Sequence, residues 1–185
     1  MLDTTFKISN IIINAYNESH ENSNLINVTS YRNCMLETAT FFKLSSIYNC
    51  DIAIDTLAID NIKNEYRFTV IYILQSSLFN YSLWITTKTK DGLALLSLQN
   101  IYPAFNWAER EIWDLSGIFF TKHPDLRRIL TDYGFSGHPL RKDFPISGFR
   151  EAHYSDLIKQ ITYSDIELSQ SYRLIGISSI WSNNA

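Results

Sequence analysis

Apolar and polar positions alternate with short periods over the first hundred residues and lose any period after them. Phe6, Ile8, Ile12, Ile13 and Tyr16 are spaced to predict a short amphipathic helix over Thr5 to Tyr16. The polar run 17–24 predicts a loop, and Leu25 to Val28 a short strand. Ser30 offers a cap for a helix over Tyr31 to Ser45, with Met35, Leu36, Ala39, Phe42 and Leu44 on one face. Ile52, Ile54 and Leu57 open a strand-rich stretch. Residues 66–74 and 81–89 are β-branched and aromatic, and Phe79-Asn80 between them predicts an antiparallel hairpin. Asp91-Gly92 marks a turn, and Leu93 to Leu98 predicts a further strand. These elements make residues 1–100 an α+β domain of two layers, with a mixed sheet and two helices.

Residues 101–185 read differently. A short helix is predicted near Ala104 to Leu115; beyond it lies a largely irregular, extended C-terminal segment. All four prolines fall here, with Gly117, Gly134, Gly137 and Gly148, among charged and aromatic residues. A long irregular stretch cannot easily satisfy its own backbone, yet this one is too apolar for a solvated linker. The reading that reconciles both is a docking segment that lies on another protein, using aromatic and Arg anchors.

Composition narrows the function classes. Apolar residues make up 45% of the 185 and charged residues 19%, which supports a packed core. The net charge of -3 lacks the basic footprint of a nucleic-acid binder. The longest strongly apolar stretch, Val70 to Leu74, is far short of the ~20 residues that cross a bilayer. Asp3 and the short Ile11-Ile12-Ile13 run do not fit a signal peptide, and no Arg precedes Arg32, against a transit peptide. The expectation is a protein made where it works or carried there within an assembly. Abundant Asn and Ile with only six Gly hint at an AT-rich coding sequence. The two cysteines, Cys34 and Cys50, fall short of the four ligands of an iron–sulfur or structural zinc site, and are expected to be buried free thiols.

Chemistry-bearing residues cluster after Asn106. Glu109, Arg110, Glu111, Trp113 and Asp114 share the short helix. Arg110 and Asp114 are i,i+4 neighbours able to pair, with Glu111 beside them as a bridge toward another Arg. Pro124 and Asp125 suit the first turn of a second helix, with Arg127, Arg128 and an apolar side of Leu126, Ile129 and Leu130, ended by Gly134 and Gly137. Arg141, Lys142 and Asp143, between Pro139 and Pro145, suit ion pairs across an interface. His123, Asp125, His138 and Asp143 are residue types for acid–base or metal chemistry. Their spacing matches no zinc motif, and no phosphate loop or G-x-S-x-G appears. Structural hydrogen bonding by the histidines is the expected role.

The run from Trp107 to Gly148, with ERE at 109–111, WDL at 113–115, GIFF at 117–120, HPDLRRILTDYGF at 123–135 and GHPLRKDFP at 137–145, resembles the signature of subunit 9, the 30 kDa subunit, of respiratory complex I (NADH:ubiquinone oxidoreductase). Arg67-Phe68 and Ile101-Tyr102-Pro103 also fit; Ile166-Glu167-Leu168 and Ser179-Ile180-Trp181 fit loosely. Ser116 departs from the large apolar residue usual there, and residues 149–154 follow the pattern only in outline. The resemblance implies a non-catalytic peripheral-arm subunit of the quinone module, needed for assembly and for electron transfer from NADH to ubiquinone in a proton-translocating complex. It implies that this chain binds no cofactor, although the parent complex uses FMN, iron–sulfur clusters, NADH and ubiquinone. The partners implied are the large quinone-module subunit and other peripheral-arm subunits. The location implied is the matrix side of the mitochondrial inner membrane, or the cytoplasmic face of a bacterial plasma membrane. The signature residues implied as contact surface are Glu109, Arg110, Glu111, Trp113, Asp114, His123, Asp125, Arg127, Arg128, Asp132, Tyr133, His138, Arg141, Lys142 and Asp143. The corresponding subunit of a related membrane-bound hydrogenase-type complex is the alternative, and a free-standing hydrolase or metalloenzyme using His123 and His138 a third.

Overall fold

The computed structural model describes residues 4–8, 11–15, 25–170 and 173. The chain forms two compact units, Met1–Phe144 and Pro145–Ala185. In the first, β1 (Thr4–Ile8) and β2 (Ile11–Ala15) pair as an antiparallel hairpin, where the apolar spacing predicted a helix. Three consecutive isoleucines crowd a helix and fit a pleated strand better, so β propensity overrides the helical period. The loop expected at 17–24 and the Ser179–Trp181 likeness lie outside the described residues.

Four strands make the main sheet. Its order is β3 (Leu25–Thr29), β6 (Tyr81–Thr89), β5 (Phe68–Ser76), β4 (Ile52–Asp60). β4 and β6 run antiparallel to β5, while β3 runs parallel to β6, so the sheet is mixed as expected. Strict alternation on β5 buries Phe68, Val70, Tyr72 and Leu74, opposite Thr89, Thr87, Ile85 and Leu83 of β6. α1 (Met35–Leu44), entered through a single 3-10 turn at 32–34, lays Met35, Ala39 and Phe42 in the same core. Ser30 does not cap this helix; its hydroxyl meets Thr38 Oγ1 at 3.0 Å instead. Leu44, expected on the apolar face, lies past the last core contact of the helix and is exposed.

Residues 93–98 contribute only β7 (Leu95–Leu96), which bridges in parallel to β8 (Phe120–Thr121). Between them runs α2 (Phe105–Ser116), whose Phe105 and Ile112 join the core with Tyr102, Ile118 and Phe120. Tyr72, Phe105 and Tyr102 stack edge to face, with centroids 5.1 and 5.6 Å apart. The β7–β8 bridge sets Ser97, Leu98 and His123 alongside α2. β4 is one edge of the main sheet. Its Ile52, Ile54, Leu57 and Ile59 are exposed, and its register shifts between Ala53 and Asp55.

The second unit contains a hairpin of β9 (Arg150–Ser155) and β10 (Gln160–Asp165), regular structure that the irregular reading of the C-terminal segment did not anticipate. Nearly all of its side chains are exposed, including Tyr154, Leu157, Ile158 and Ile161. No helix among the described residues is long and apolar enough to cross a membrane.

Candidate docking surface

One carboxylate of α2 organises the segment that comes after the helix. Asp114 is fully buried. Its Oδ2 accepts the main-chain N–H groups of Ile129, Leu130 and Thr131 at 3.2, 2.8 and 2.9 Å, and its Oδ1 accepts the Thr131 hydroxyl at 2.7 Å. Burial pushes this carboxyl up, but the hydrogen bonds outweigh burial and hold it below the usual carboxylate range. The same bonds explain why no helix follows Pro124, against the expectation from sequence. A helix there needs these N–H groups for its own carbonyls, and Asp114 takes all three.

Arg128 belongs to this arrangement. Its Nε lies 3.6 Å from Asp114 Oδ1, and its other donors reach the carbonyls of Phe135 at 2.7 Å and Gly137 at 2.5 Å. Asp114 is therefore committed, and the i,i+4 pair with Arg110 does not form. Arg110 instead donates to the Arg127 carbonyl at 3.1 Å and lies 5.0 Å from the Trp107 ring centroid. His138 sets Nδ1 2.9 Å from the Asp114 carbonyl, the geometry of an Nδ1–H donor, with its ring against Trp113.

A second fastening lies around Phe68. Arg141 donates to the Ser116 carbonyl at 2.8 Å, at the negative end of α2, and forks onto both oxygens of Asp91 at 3.1 and 3.2 Å. Arg67 forks onto Asp60 with two bonds of 2.8 Å and reaches Asp143 at 3.0 Å. The Lys142 N–H donates to Asp60 at 2.9 Å. Both guanidinium groups approach the Phe68 ring, at 5.0 and 5.3 Å. Arg67 holds the carboxyls of Asp60 and Asp143 below their usual range, and their bonds raise the Arg67 pKa in turn. The charges of Arg141 and Asp143, which suited an interface, are thus used within the chain.

Gly117 makes the close approach possible. Its φ of 73° is left-handed, ending α2, and a Cβ there would sit 2.6 Å from His138 Cδ2 and 2.7 Å from an Arg141 nitrogen. Replacing Gly117 by Ala should cost about 2 kcal/mol, from backbone strain plus displacement of His138 and Arg141. Urea unfolding of the full chain measures it; an unchanged midpoint would show that the seam tolerates a wider spacing.

Glu109, also fully buried, faces the other way, into the core. It accepts the Ser97 hydroxyl at 2.5 Å, the Leu98 N–H at 2.8 Å and the Tyr72 hydroxyl at 3.5 Å. Burial pushes its carboxyl up to about 7 despite these bonds. His123 Nε2 lies 4.0 Å away, and neither side chain is exposed.

The remaining signature residues point outward. Glu111, the expected bridge, is exposed and makes no ion pair among the described residues; Asp114, the charge it was to serve, is occupied below. Asp125 and Arg127 form an exposed pair at 2.8 Å. Asp132, Tyr133 and the Lys142 side chain are exposed, as are Leu130 and Leu140. Trp113 is half-buried, edge-on to Phe119. Sequence reasoning missed Asp60, Asp91 and Thr131. Thr131 and Asp91 bond partners 17 and 50 positions away, and Asp60, though only 7 residues before its partner Arg67, carried no signal beyond Arg67-Phe68. Both cysteines are free. Cys50 is buried, its thiol pushed up by burial and beside Tyr81 Oη, whereas Cys34 is only half-buried, not the second buried thiol expected.

Comparison with known proteins shows what the chain resembles. Residues 28–150 match the sequence model of the family described as "Respiratory-chain NADH dehydrogenase, 30 Kd subunit". The chain is 43% identical over 151 residues to NADH-ubiquinone oxidoreductase subunit 9 of Dictyostelium citrinum, covering 80% of this chain and 72% of that one. It is 43% identical over 147 residues to a subunit of the NADH-quinone oxidoreductase of Chelativorans sp. (strain BNC1), covering 80% and 74%. It is 40% identical over 147 residues to NADH dehydrogenase [ubiquinone] iron-sulfur protein 3 of Arabidopsis thaliana, covering 80% and 77%. Among solved structures, a chain of an archaeal membrane-bound sulfane sulfur reductase shares the fold, with a TM-score of 0.60 and 21% identity over 68% of this chain and 75% of that one.

Proposed function

The chain belongs to the 30 kDa subunit family of the respiratory-chain NADH dehydrogenase, and from that premise we propose that it is a docking subunit of the peripheral arm of NADH:quinone oxidoreductase. It holds no reacting group itself. It sits in the quinone module against the large subunit there, and supports electron transfer from NADH to ubiquinone by keeping that module assembled. Its place is at the membrane without crossing it, on the matrix side in mitochondria or the cytoplasmic side in bacteria.

The observation that carries this reading is how the signature divides. Asp114, Arg128, His138, Arg141 and Asp143 bond to the chain itself and give the irregular segment a fixed shape. Arg127, Asp132, Lys142, Leu130 and Leu140 remain outside on that shaped backbone, as mixed charged and apolar contacts. A surface ordered before it meets its partner loses less entropy on binding than a flexible one. No reaction step runs through a cluster in this chain. Some relatives carry "iron-sulfur" in their name, but two cysteines, one buried against Tyr81, do not fit a four-thiolate site.

Arg127 and Arg128 test the division. Arg127→Ala should leave the thermal midpoint of the chain unchanged while weakening incorporation into the complex on the order of tenfold. Arg128→Ala should lower the midpoint, because it strands Asp114 and two carbonyls. Native gels of the assembled complex, beside circular dichroism of the free chain, decide. Normal assembly with Arg127→Ala would remove the docking reading of this face. Co-purification of NADH-oxidising flavin subunits separates this complex from a hydrogenase-type one.

A further inference from the structure

Glu109 and His123 have no part in fastening the segment around Asp114 and Phe68, and burying two titratable groups side by side calls for a role. The chamber is closed by four elements. Tyr72 enters from β5, Ser97 and Leu98 follow β7, Glu109 and Asn106 come from α2, and His123 follows β8. Lys122, at a left-handed φ of 62°, turns the chain so that the His123 ring passes inward. The ring's tautomer follows from its partners. Nδ1 lies 3.2 Å from the Asp125 main-chain nitrogen and must accept its N–H, which leaves the proton on Nε2. Nε2 then faces the Asn106 carbonyl at 3.4 Å and Glu109 at 4.0 Å.

We propose that Glu109 is a proton-operated latch: protonated, it holds His123 and the start of the signature segment closed against α2, and ionised, it releases them. The carboxylic acid is compatible with this chamber because its proton can go to the Ser97 hydroxyl while its other oxygen still accepts the Leu98 N–H. The ionised form has three donors but no counter-charge. Tyr72 is neutral, and its own ionisation is pushed far out of range by burial and by Glu109. His123 cannot supply the charge. Burial lowers its proton affinity most; the Asn106 carbonyl offsets part of this, and Arg110 lowers it again against a smaller contribution from Asp125. An unpaired buried carboxylate is relieved when water reaches it. Two walls lie outside helix and sheet; Ser97 and Leu98 are themselves buried, whereas Lys122, Pro124 and Asp125 around His123 are exposed, so the segment holding His123 is the one that can move to admit water.

The direction of the pH effect is fixed by the sign of the shift. Glu109 binds its proton more tightly closed, to about 7, than in an opened segment, near 4.5. Closure is therefore favoured at low pH and is progressively lost as pH rises from about 4.5 through 7. Between about pH 6 and pH 8 the population of the opened segment rises about tenfold.

Native-state hydrogen exchange of the full chain tests this without any partner. The protection factor of the Asp125 amide, whose N–H bonds to His123 Nδ1, corrected for intrinsic exchange, should fall about tenfold from pH 6 to pH 8, while those of β5 and β6 stay constant. Glu109→Gln, which mimics the protonated acid, should abolish the fall. The 15N shifts of the His123 ring should report a neutral Nε2–H tautomer at about pH 8, where Glu109 is ionised. Protection that stays flat with pH in the wild type, or an imidazolium appearing as Glu109 ionises, would overturn the latch. The second result would mean that the pair closes as an ion pair. Because the readout is internal, failure here leaves the docking reading intact, and failure of docking leaves the latch testable.

Discussion

Replacing Asp114 by Ala should destabilise the chain by about 3–5 kcal/mol, the largest single effect expected in this molecule. The carboxylate is fully buried and accepts four hydrogen bonds, three of them from consecutive main-chain N–H groups that have no helix to satisfy them. Truncation leaves those donors orphaned and leaves Arg128 without its carboxylate. For a chain of this size the thermal midpoint should drop by roughly 10 °C. Asp114→Asn keeps one acceptor oxygen and should lose about half as much. Urea denaturation of the three forms measures the series. An Ala variant as stable as the wild type would show that the segment finds another way to satisfy its backbone, and that Asp114 is not what keeps it out of a helix.

Arg67→Ala is the second large effect, about 2–3 kcal/mol at neutral pH. Arg67 is the shared cation of Asp60 and Asp143, and Asp60 is buried. Both carboxyls are held low, first by their bonds to Arg67. A depressed carboxyl stabilises the fold above its unfolded value, near 3.9, and loses that contribution as pH falls through the folded value. The gap between wild type and variant should therefore be complete at neutral pH and shrink on acidification below about pH 4. Arg67→Lys keeps the charge but not the fork, and should recover less than half. Unfolding midpoints at about pH 7 and pH 3 provide the check. A gap that persists undiminished in acid would mean that the loss comes from packing against Phe68 and not from the charges.

The sheet was legible because its signal is local. Val70, Tyr72 and Leu74 alternate with half-buried neighbours, and Phe79-Asn80 supplies the turn. α2 was legible for the same reason. The first hairpin was not: Phe6, Ile8, Ile12 and Ile13 fit either period, and the break between two short strands is easily read through. Pro124-Asp125 gave a sound helix-start signal that lost to a carboxylate on the preceding helix, which no local rule weighs. The signature was easy to find and hard to interpret. Its charges look alike in sequence, and only coordinates separate Arg128, bonded inward to two carbonyls, from Arg127, exposed beside Asp125. Glu109 shows the same limit, since nothing in a Glu-Arg-Glu run says which carboxylate enters the core.

The fastening around Phe68 also sets an order in time. Asp60 meets the Lys142 backbone across 82 positions of chain, and Arg67 meets Asp143 across 76. Loops that long close only after shorter-range structure has reduced their entropy cost, and their closure slows folding. During synthesis, the sheet residues leave the ribosome well before the residues that clasp them. Until Asp143 emerges, Arg67 has only part of its final set of carboxylates and the segment after α2 lacks its second fastening. A nascent chain therefore acquires its core first and the fixed path of the segment after α2 last, so that a product truncated before Lys142 carries the sheet without that clasp.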